Sequence, residues 1–254
     1  MSYTTHSTIE ALRPIDDTFF HKLAEHKEFC EELLRTVLEM PDLQIVETVP
    51  QRSLRNVKGR SVFLDTLCRD KNNTYFNVEV QKEDNDDHQK RVRYNSSNID
   101  TFITEKGIRF KELPDVYIIY ISCFDIFKEG KTIYHIDRTI RETGTTVYNG
   151  LHEIYVNTEI NDGTDIAGLM DLLNTAELKM DSRFPQVCNS IQYYKKGKGQ
   201  KNMCEVVEQY AKEYAIQEQR KSALEMIRLN FDNELICRIT RLPLEEILAL
   251  YKDL

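Results

Sequence analysis

Three side chains in the first third of the chain could do chemistry together: Asp65, Glu79 and Gln81. Along Tyr75 to Gln81 polar and apolar residues alternate. Tyr75, Asn77, Glu79 and Gln81 therefore share one face of a strand, and Phe76, Val78 and Val80 share the other. Asp65 belongs to a preceding strand, Ser61 to Arg69. A hairpin through Asp70-Lys71-Asn72-Asn73-Thr74 can fold it back onto the polar face. The parity of that loop decides the matter. An odd-numbered loop, Asp70 to Thr74 or Lys71 to Asn73, sets Asp65 across from Glu79; a two-residue turn between Asn72 and Asn73 pairs Asp65 with Val80 and breaks the constellation. Two carboxylates facing each other across a strand pair repel unless a cation lies between them. Hard oxygen donors suit Mg²⁺ or Mn²⁺, which keep several waters and engage phosphate oxygens. A metal so placed can activate water and neutralise charge on a phosphoryl group. Gln81 has no titratable group, so it reads as an orienting group for a water or a phosphate oxygen, not a base.

The elements that must position these residues follow from periodicity. Residues 15 to 40 read as helical, with Phe19, Phe20, Leu23, Phe29, Leu33, Leu34, Val37 and Leu38 at three- and four-residue spacings. Asp16 and Asp17 stand at the N-cap and Pro41 ends the run. Ile45 to Val49 is a short strand. His88 to Lys106 reads as a helix closed by Gly107. Val116 to Phe124 is apolar almost throughout, the mark of a strand buried on both faces. Further strands are expected at Lys131 to Asp137, Thr145 to Asn149 and His152 to Val156. Helices are expected at Ile166 to Leu178, Asn202 to Leu229, Asn233 to Thr240 and Leu244 to Leu250, the last with Pro243 at its first turn. The expected fold is α/β, a mixed sheet flanked by helices. Residues 10–180 form the core and 181–254 a mainly helical C-terminal region.

Composition narrows the class. With 254 residues, 41% hydrophobic and 30% charged, the chain can bury a core of ordinary size. No apolar run approaches the roughly 20 residues of a membrane span, and Met1 to Thr8 lacks the basic-then-apolar order of a signal peptide; a cytoplasmic protein away from the membrane is expected. The six cysteines stand singly without a C-x-x-C pair, which excludes a zinc ribbon or dithiol redox motif and reads as reduced thiols. The net charge of −8 excludes a basic nucleic-acid coat protein. Two acid-free basic islands, Gln51 to Arg60 and Tyr193 to Lys201, fit either a polyanion or solvated loops. The acidic run Glu83, Asp84, Asp86 and Asp87 reads as a loop, and the six histidines form no ligand pattern.

The segment Gly59-Arg-Ser-Val-Phe-Leu-Asp65, followed by Asn77-Val-Glu79-Val-Gln81, resembles the signature of the PD-(D/E)XK nuclease superfamily. It is closest to the branch of PD-(D/E)XK family transposases, or recombination-promoting nucleases. Asp17-Thr-Phe-Phe20-His-Lys-Leu23 is similar to that branch's opening motif, Arg91-Val-Arg-Tyr94 through Gly107 to the helix after its active site, Val116 to Phe124 to its next strand, and Leu242 to Leu250 to its ending. The resemblance implies a restriction-endonuclease-like core and Mg²⁺- or Mn²⁺-dependent DNA cleavage. Asp65, Glu79 and the main-chain carbonyl of Val80 would be metal ligands. Asp17 would be a further ligand or water-positioning group, with Glu28, Glu31 and Glu32 competing for that place. Position 81 departs from the pattern: glutamine replaces the usual lysine, which opens the question of what activates the nucleophile. Lys82 is expected to point to the other face, while Lys90 or Arg91 could swing in from the following helix. DNA is the expected partner, and a homodimer through the C-terminal helices (residues 202–229) is a further expectation.

Overall fold

The computed structural model describes residues 9–54 and 62–251. Gly59, Arg60 and Ser61 of the signature, Arg55 and Lys58 of the first basic island, and Met1 to Thr8 lie outside the described residues. Helices α1 (Asp17–Leu23) and α2 (Lys27–Val37) are followed by strands β1 (Ile45–Leu54), β2 (Val62–Asp70) and β3 (Tyr75–Gln81), then α3 (His88–Ile103) and β4 (Val116–Ser122). β5 (Ile133–Ile136) and β6 (Leu151–Asn157) complete a six-stranded sheet in the order β1-β2-β3-β4-β6-β5. β1, β2 and β3 run as an antiparallel meander, β3, β4 and β6 are parallel, and β5 returns antiparallel at the edge. The expected mixed sheet with flanking helices is therefore present. Helices α4 (Asp165–Asn174) and α5 (Pro185–Lys196) follow it.

β3 and β4 carry the site and are the most buried strands. β4 keeps both faces covered, as its unbroken apolar run requires. A core cluster joins Leu54, Leu64, Leu67, Val116, Ile118, Tyr120 and Tyr155 of the sheet with Val92 and Ile99 of α3. On β3, Phe76, Val78 and Val80 are buried, and so are Asn77 and Glu79 on the alternate face. Polar side chains buried on that face of a central strand have to find partners within the protein, because water cannot reach them.

The hairpin parity resolves in favour of the odd loop. Thr66 pairs with Val78, Leu67 with Asn77, Cys68 with Phe76 and Arg69 with Tyr75, a register that projects Asp65 opposite Glu79. Asp70 holds the turn. Its Oδ1 accepts the backbone N–H of Asn72 at 2.9 Å and of Thr74 at 2.8 Å, its Oδ2 accepts from the Asn72 amide at 3.2 Å, and Asn73 takes the left-handed conformation at φ 66°. Asn tolerates that region better than most residues, and Asp closes such turns on its own backbone.

Three expectations are corrected. The helix read over residues 15 to 40 is two helices, broken at Ala24 to His26; His26 is extended (φ −89°, ψ 110°) and starts α2. The break lets Phe20 and Phe29 meet edge to face at 5.9 Å, while the apolar spacing continues across it and conceals it. Asp16 occupies the N-cap position of α1, but its carboxylate turns back to the Arg13 N–H at 2.8 Å instead of capping. Thr145 to Asn149 forms no strand, only an isolated bridge between Thr139 and Thr146. Around residues 139–148 the side chains are exposed, so no apolar face rewards pairing.

Residues 185–196, which the sequence reading grouped with the C-terminal region, form a helix that packs in the first compact unit, residues 6–203. Glu32 on α2 accepts the Val187 N–H at 2.7 Å, and the Tyr194 ring meets Phe19 edge-on at 6.3 Å. Lys195 of the second basic island is buried here, with its ammonium bonded to the carbonyls of Glu10 and Ala176. It is therefore a structural cation and is withdrawn from any polyanion surface. The second unit, residues 204–254, holds the rest of α6 (Gln200–Arg228), α7 (Asn233–Thr240) and α8 (Leu244–Leu250) around Ala223, Ile227, Ile236, Leu242, Ile247 and Leu250. Among the described residues no helix is long and apolar enough to cross a membrane.

The Asp70 turn sets the register on which the site depends, and hydrogen bonds to a charged acceptor are each worth about 1.5–3 kcal/mol. Asp70→Ala is expected to lower stability by roughly 2–4 kcal/mol, read as a lower urea midpoint, and Asp70→Asn by less, since it keeps the acceptor. An unchanged midpoint in Asp70→Ala would remove the turn from this role.

Candidate metal-binding site

Cα pairing between β2 and β3 stops at Thr66 and Val78, one step before Asp65 and Glu79. Beyond that point side chains replace the backbone ladder. The Val80 N–H donates to Asp65 Oδ2 at 2.9 Å. In a strand the N–H and C=O of one residue point to the same neighbour, so the Val80 carbonyl is directed into the gap beside Asp65. Asp65 and Glu79 are thereby brought together, with that carbonyl between the strands.

Glu79 is only 7% exposed. Burial, and then the charge of Asp65, push its carboxyl well above the ordinary carboxylate range. The Asn77 amide at 2.9 Å, the Asp65 N–H and the Arg91 guanidinium pull the other way without reversing the shift. Asp17, on α1, is also raised, first by burial and further by Asp65, against the opposing charges of Lys82 and His21. Asp17 therefore lies within the electrostatic reach of Asp65. The competing acids are engaged elsewhere. Glu31 accepts the Ile45 N–H at 2.9 Å and pairs with Arg35, Glu32 accepts the Val187 N–H, and Glu28 is exposed.

Gln81 stands at the end of β3, half-buried. Its amide nitrogen donates to the Glu83 carbonyl at 2.7 Å, and its amide oxygen accepts from Arg91 Nη1 at 3.2 Å. That oxygen holds the guanidinium on the Glu79 side of the helix. Lys90 is exposed. Lys82 departs from expectation: its ammonium lies 3.3 Å from Asp16 Oδ1 and lowers Asp17, so it faces the opening helix next to the site. Strand alternation predicts the opposite, but β3 ends at Gln81, and the rule ends with it.

Two histidines given no role by their spacing are placed at or beside this cluster. His21 Nε2 lies 3.1 Å from Asp65 Oδ1. The signal in the sequence is its position one helical turn after Asp17, which puts both on one face of α1. His88 is buried, with Nδ1 3.0 Å from the Tyr120 hydroxyl and Nε2 2.9 Å from Asp84. The phenol of Tyr120 is pushed upward by burial and stays protonated. Asp84 is thus tied to His88, and the acidic run serves as the connection into α3.

Among the described residues no group of three or more His, Cys, Asp or Glu side chains forms a ready-made metal cage. The donor set is two carboxylates and a carbonyl. That matches the habit of Mg²⁺, which binds one or two carboxylates and keeps several waters. The raised Glu79 is the test of fit. A buried carboxyl whose ionised form is opposed by a neighbouring carboxylate is relieved by a cation between them. The residues present fit a divalent metal.

The Glu79 shift fixes a pH dependence. Its folded value lies above its unfolded one, so no penalty exists below the ordinary carboxylate range. Stability then falls as pH rises through the raised value. In chelator, Glu79→Gln should be more stable than the parent at about pH 8, with the gap closing toward about pH 4. Added Mg²⁺ or Mn²⁺ should raise the parent's urea midpoint and leave that of Glu79→Gln almost unmoved. A gap that stays constant with pH would contradict the buried, proton-bearing Glu79.

Comparison with curated proteins and with solved structures finds no match. The family model of the PD-(D/E)XK nuclease family transposases matches residues 20–219, a span that includes Asp65, Glu79, Val80 and Gln81 and begins just after Asp17. The mixed sheet flanked by helices is consistent with the restriction-endonuclease-like α/β fold. The match covers well over half of the chain, and this protein belongs to the PD-(D/E)XK nuclease family transposases.

Proposed function

We propose that this chain is a metal-dependent DNA endonuclease related to mobile-element proteins, hydrolysing phosphodiester bonds at Asp65 and Glu79. The observation that carries the reading is the opposition of these carboxylates where β2 and β3 stop pairing, with the Val80 carbonyl directed into the same gap. Asp65, Glu79 and that carbonyl would hold Mg²⁺ or Mn²⁺, and Asp17 would hold or orient a water beside them. The bound metal would acidify a water and neutralise charge on the scissile phosphate. The protein's own residues supply the rest. Gln81 cannot take a proton from water, and its amide oxygen positions the Arg91 guanidinium instead. Arg91 then offers N–H donors and a fixed positive charge to a phosphate oxygen, a pairing its planar fork suits. Lys82, on the Asp17 side, brings a second positive charge.

A second reading is favoured by one observation: both polar ends of Gln81 are engaged, by Glu83 and Arg91, so no base occupies position 81. In that reading the fold binds DNA or a protein partner without cutting.

Incubation of supercoiled plasmid with the protein and Mg²⁺ or Mn²⁺ separates the two. Nicking is expected, and Asp65→Ala and Glu79→Ala should each lower its rate by more than about a hundredfold, since even partners behind metal ligands cost 10–100-fold when removed. Nicking that survives in both variants would remove the assignment. Absence of nicking by the parent, with retained DNA binding, would favour the second reading.

A further inference from the structure

We propose that His21 is a positioning residue that orients Asp65 for the cation, an inference resting on the metal-site reading above. Asp65 is held at both oxygens. Oδ2 accepts the Val80 N–H at 2.9 Å from within the sheet, and Oδ1 lies 3.1 Å from His21 Nε2 on α1, across a sequence separation of 44 residues. A carboxylate only accepts, so the shared proton sits on Nε2 and fixes the imidazole as donor. Each carboxylate oxygen has two lone pairs, and one hydrogen bond apiece leaves donors for a metal while fixing the plane of the group.

The helix that brings His21 is short but firmly seated. Phe19, Phe20 and Leu23 are buried to 1% exposure or less, and α1 lies against β1 and β2. The imidazole is only 17% exposed on its side chain, so its reach toward Asp65 is set by the core and not by a mobile surface rotamer. Its chemistry also suits the place. An imidazole N–H offers Asp65 one directed donor on a rigid ring, whereas the freely rotating ammonium of a lysine would not fix the plane of the carboxylate. Outer-shell partners of this kind orient metal ligands and commonly govern affinity as strongly as a weak ligand does. Asp17, one turn earlier on the same helix face, places the two groups of α1 on one side of Asp65.

The test is calorimetric titration of the full-length protein with MnCl₂, in the absence of DNA, for the parent, His21→Ala and His21→Gln. His21→Ala is expected to weaken Mn²⁺ binding roughly 10–100-fold, and His21→Gln to recover part of that loss, because its amide N–H can still donate to Asp65 while being a poor metal ligand. Binding by His21→Ala equal to that of the parent would overturn the role of His21 and leave the metal site standing. Equal loss in both variants, with native circular dichroism, would overturn positioning in favour of direct coordination by the imidazole. A parent that binds no Mn²⁺ would overturn the metal-site reading, and this inference with it.

Discussion

The molecule turns on one hydrogen bond between two neighbouring strands. Where β2 and β3 should continue their ladder, the carboxylate of Asp65 takes the N–H of Val80 in place of a backbone carbonyl. The strands can separate there without stranding the Val80 N–H, and a buried donor left unpaired would cost about 1–3 kcal/mol. The separation is what gives the Val80 carbonyl and both acids access to one space. Everything upstream serves this point. The Asp70 turn sets the register, β4 supplies the parallel partner that keeps β3 straight and buried, and α1 closes the open side with Asp17 and His21.

The arrangement stores an unfavourable interaction. Burying Glu79 beside Asp65 costs stability whenever both are ionised, and the Asn77 amide and Arg91 offset it only in part. Asn77 is fully buried, and its own amide oxygen has no hydrogen-bond partner among the described residues, so this side chain is committed to Glu79 at a cost to itself. Neither feature helps a fold that only has to be stable. Both make sense where a divalent cation completes the electrostatics, because its charge replaces the missing compensation and leaves the coordination sphere partly open to water.

Local pattern made the strands legible, and so placed the candidate site. Tyr75 to Gln81 runs between the same ends in sequence and structure because its alternation is strict and its flanks are turn residues, and the Asp-Asn loop leaves only two registers to choose between. What the sequence could not show depends on contacts between distant segments. The helix break at His26 is invisible to periodicity because Leu23 and Cys30, seven residues apart, remain in phase across it. The burial of Lys195 depends on the carbonyls of Glu10 and Ala176, which no local rule brings near a lysine-rich stretch. His21 had the correct spacing from Asp17 but nothing in the sequence to say that Asp65 would face it.

Position 81 shows how a site can keep its charge balance while changing its residue. A lysine there would place one ammonium beside the paired acids. Here the positive charge comes instead from two sides, with Arg91 held by the Gln81 oxygen near Glu79 and Lys82 just past the strand end near Asp17. The glutamine is then no neutral gap, because its oxygen is what keeps the guanidinium from relaxing wholly onto Asp87, 3.4 Å away along the same helix. A guanidinium stays charged at any physiological pH and cannot serve as a base, so Arg91 can reproduce the electrostatics of the lysine but none of its proton transfer. In the proposed hydrolysis, a proton leaving the attacking water would go to bulk solvent or to a carboxylate. Of Asp17, Asp65 and Glu79, Asp17 is the one carried by the opening helix, and burial raises its carboxyl above the ordinary value. If the chain cuts DNA as proposed, the glutamine at 81 would shift the burden of proton handling from the strand to the opening helix.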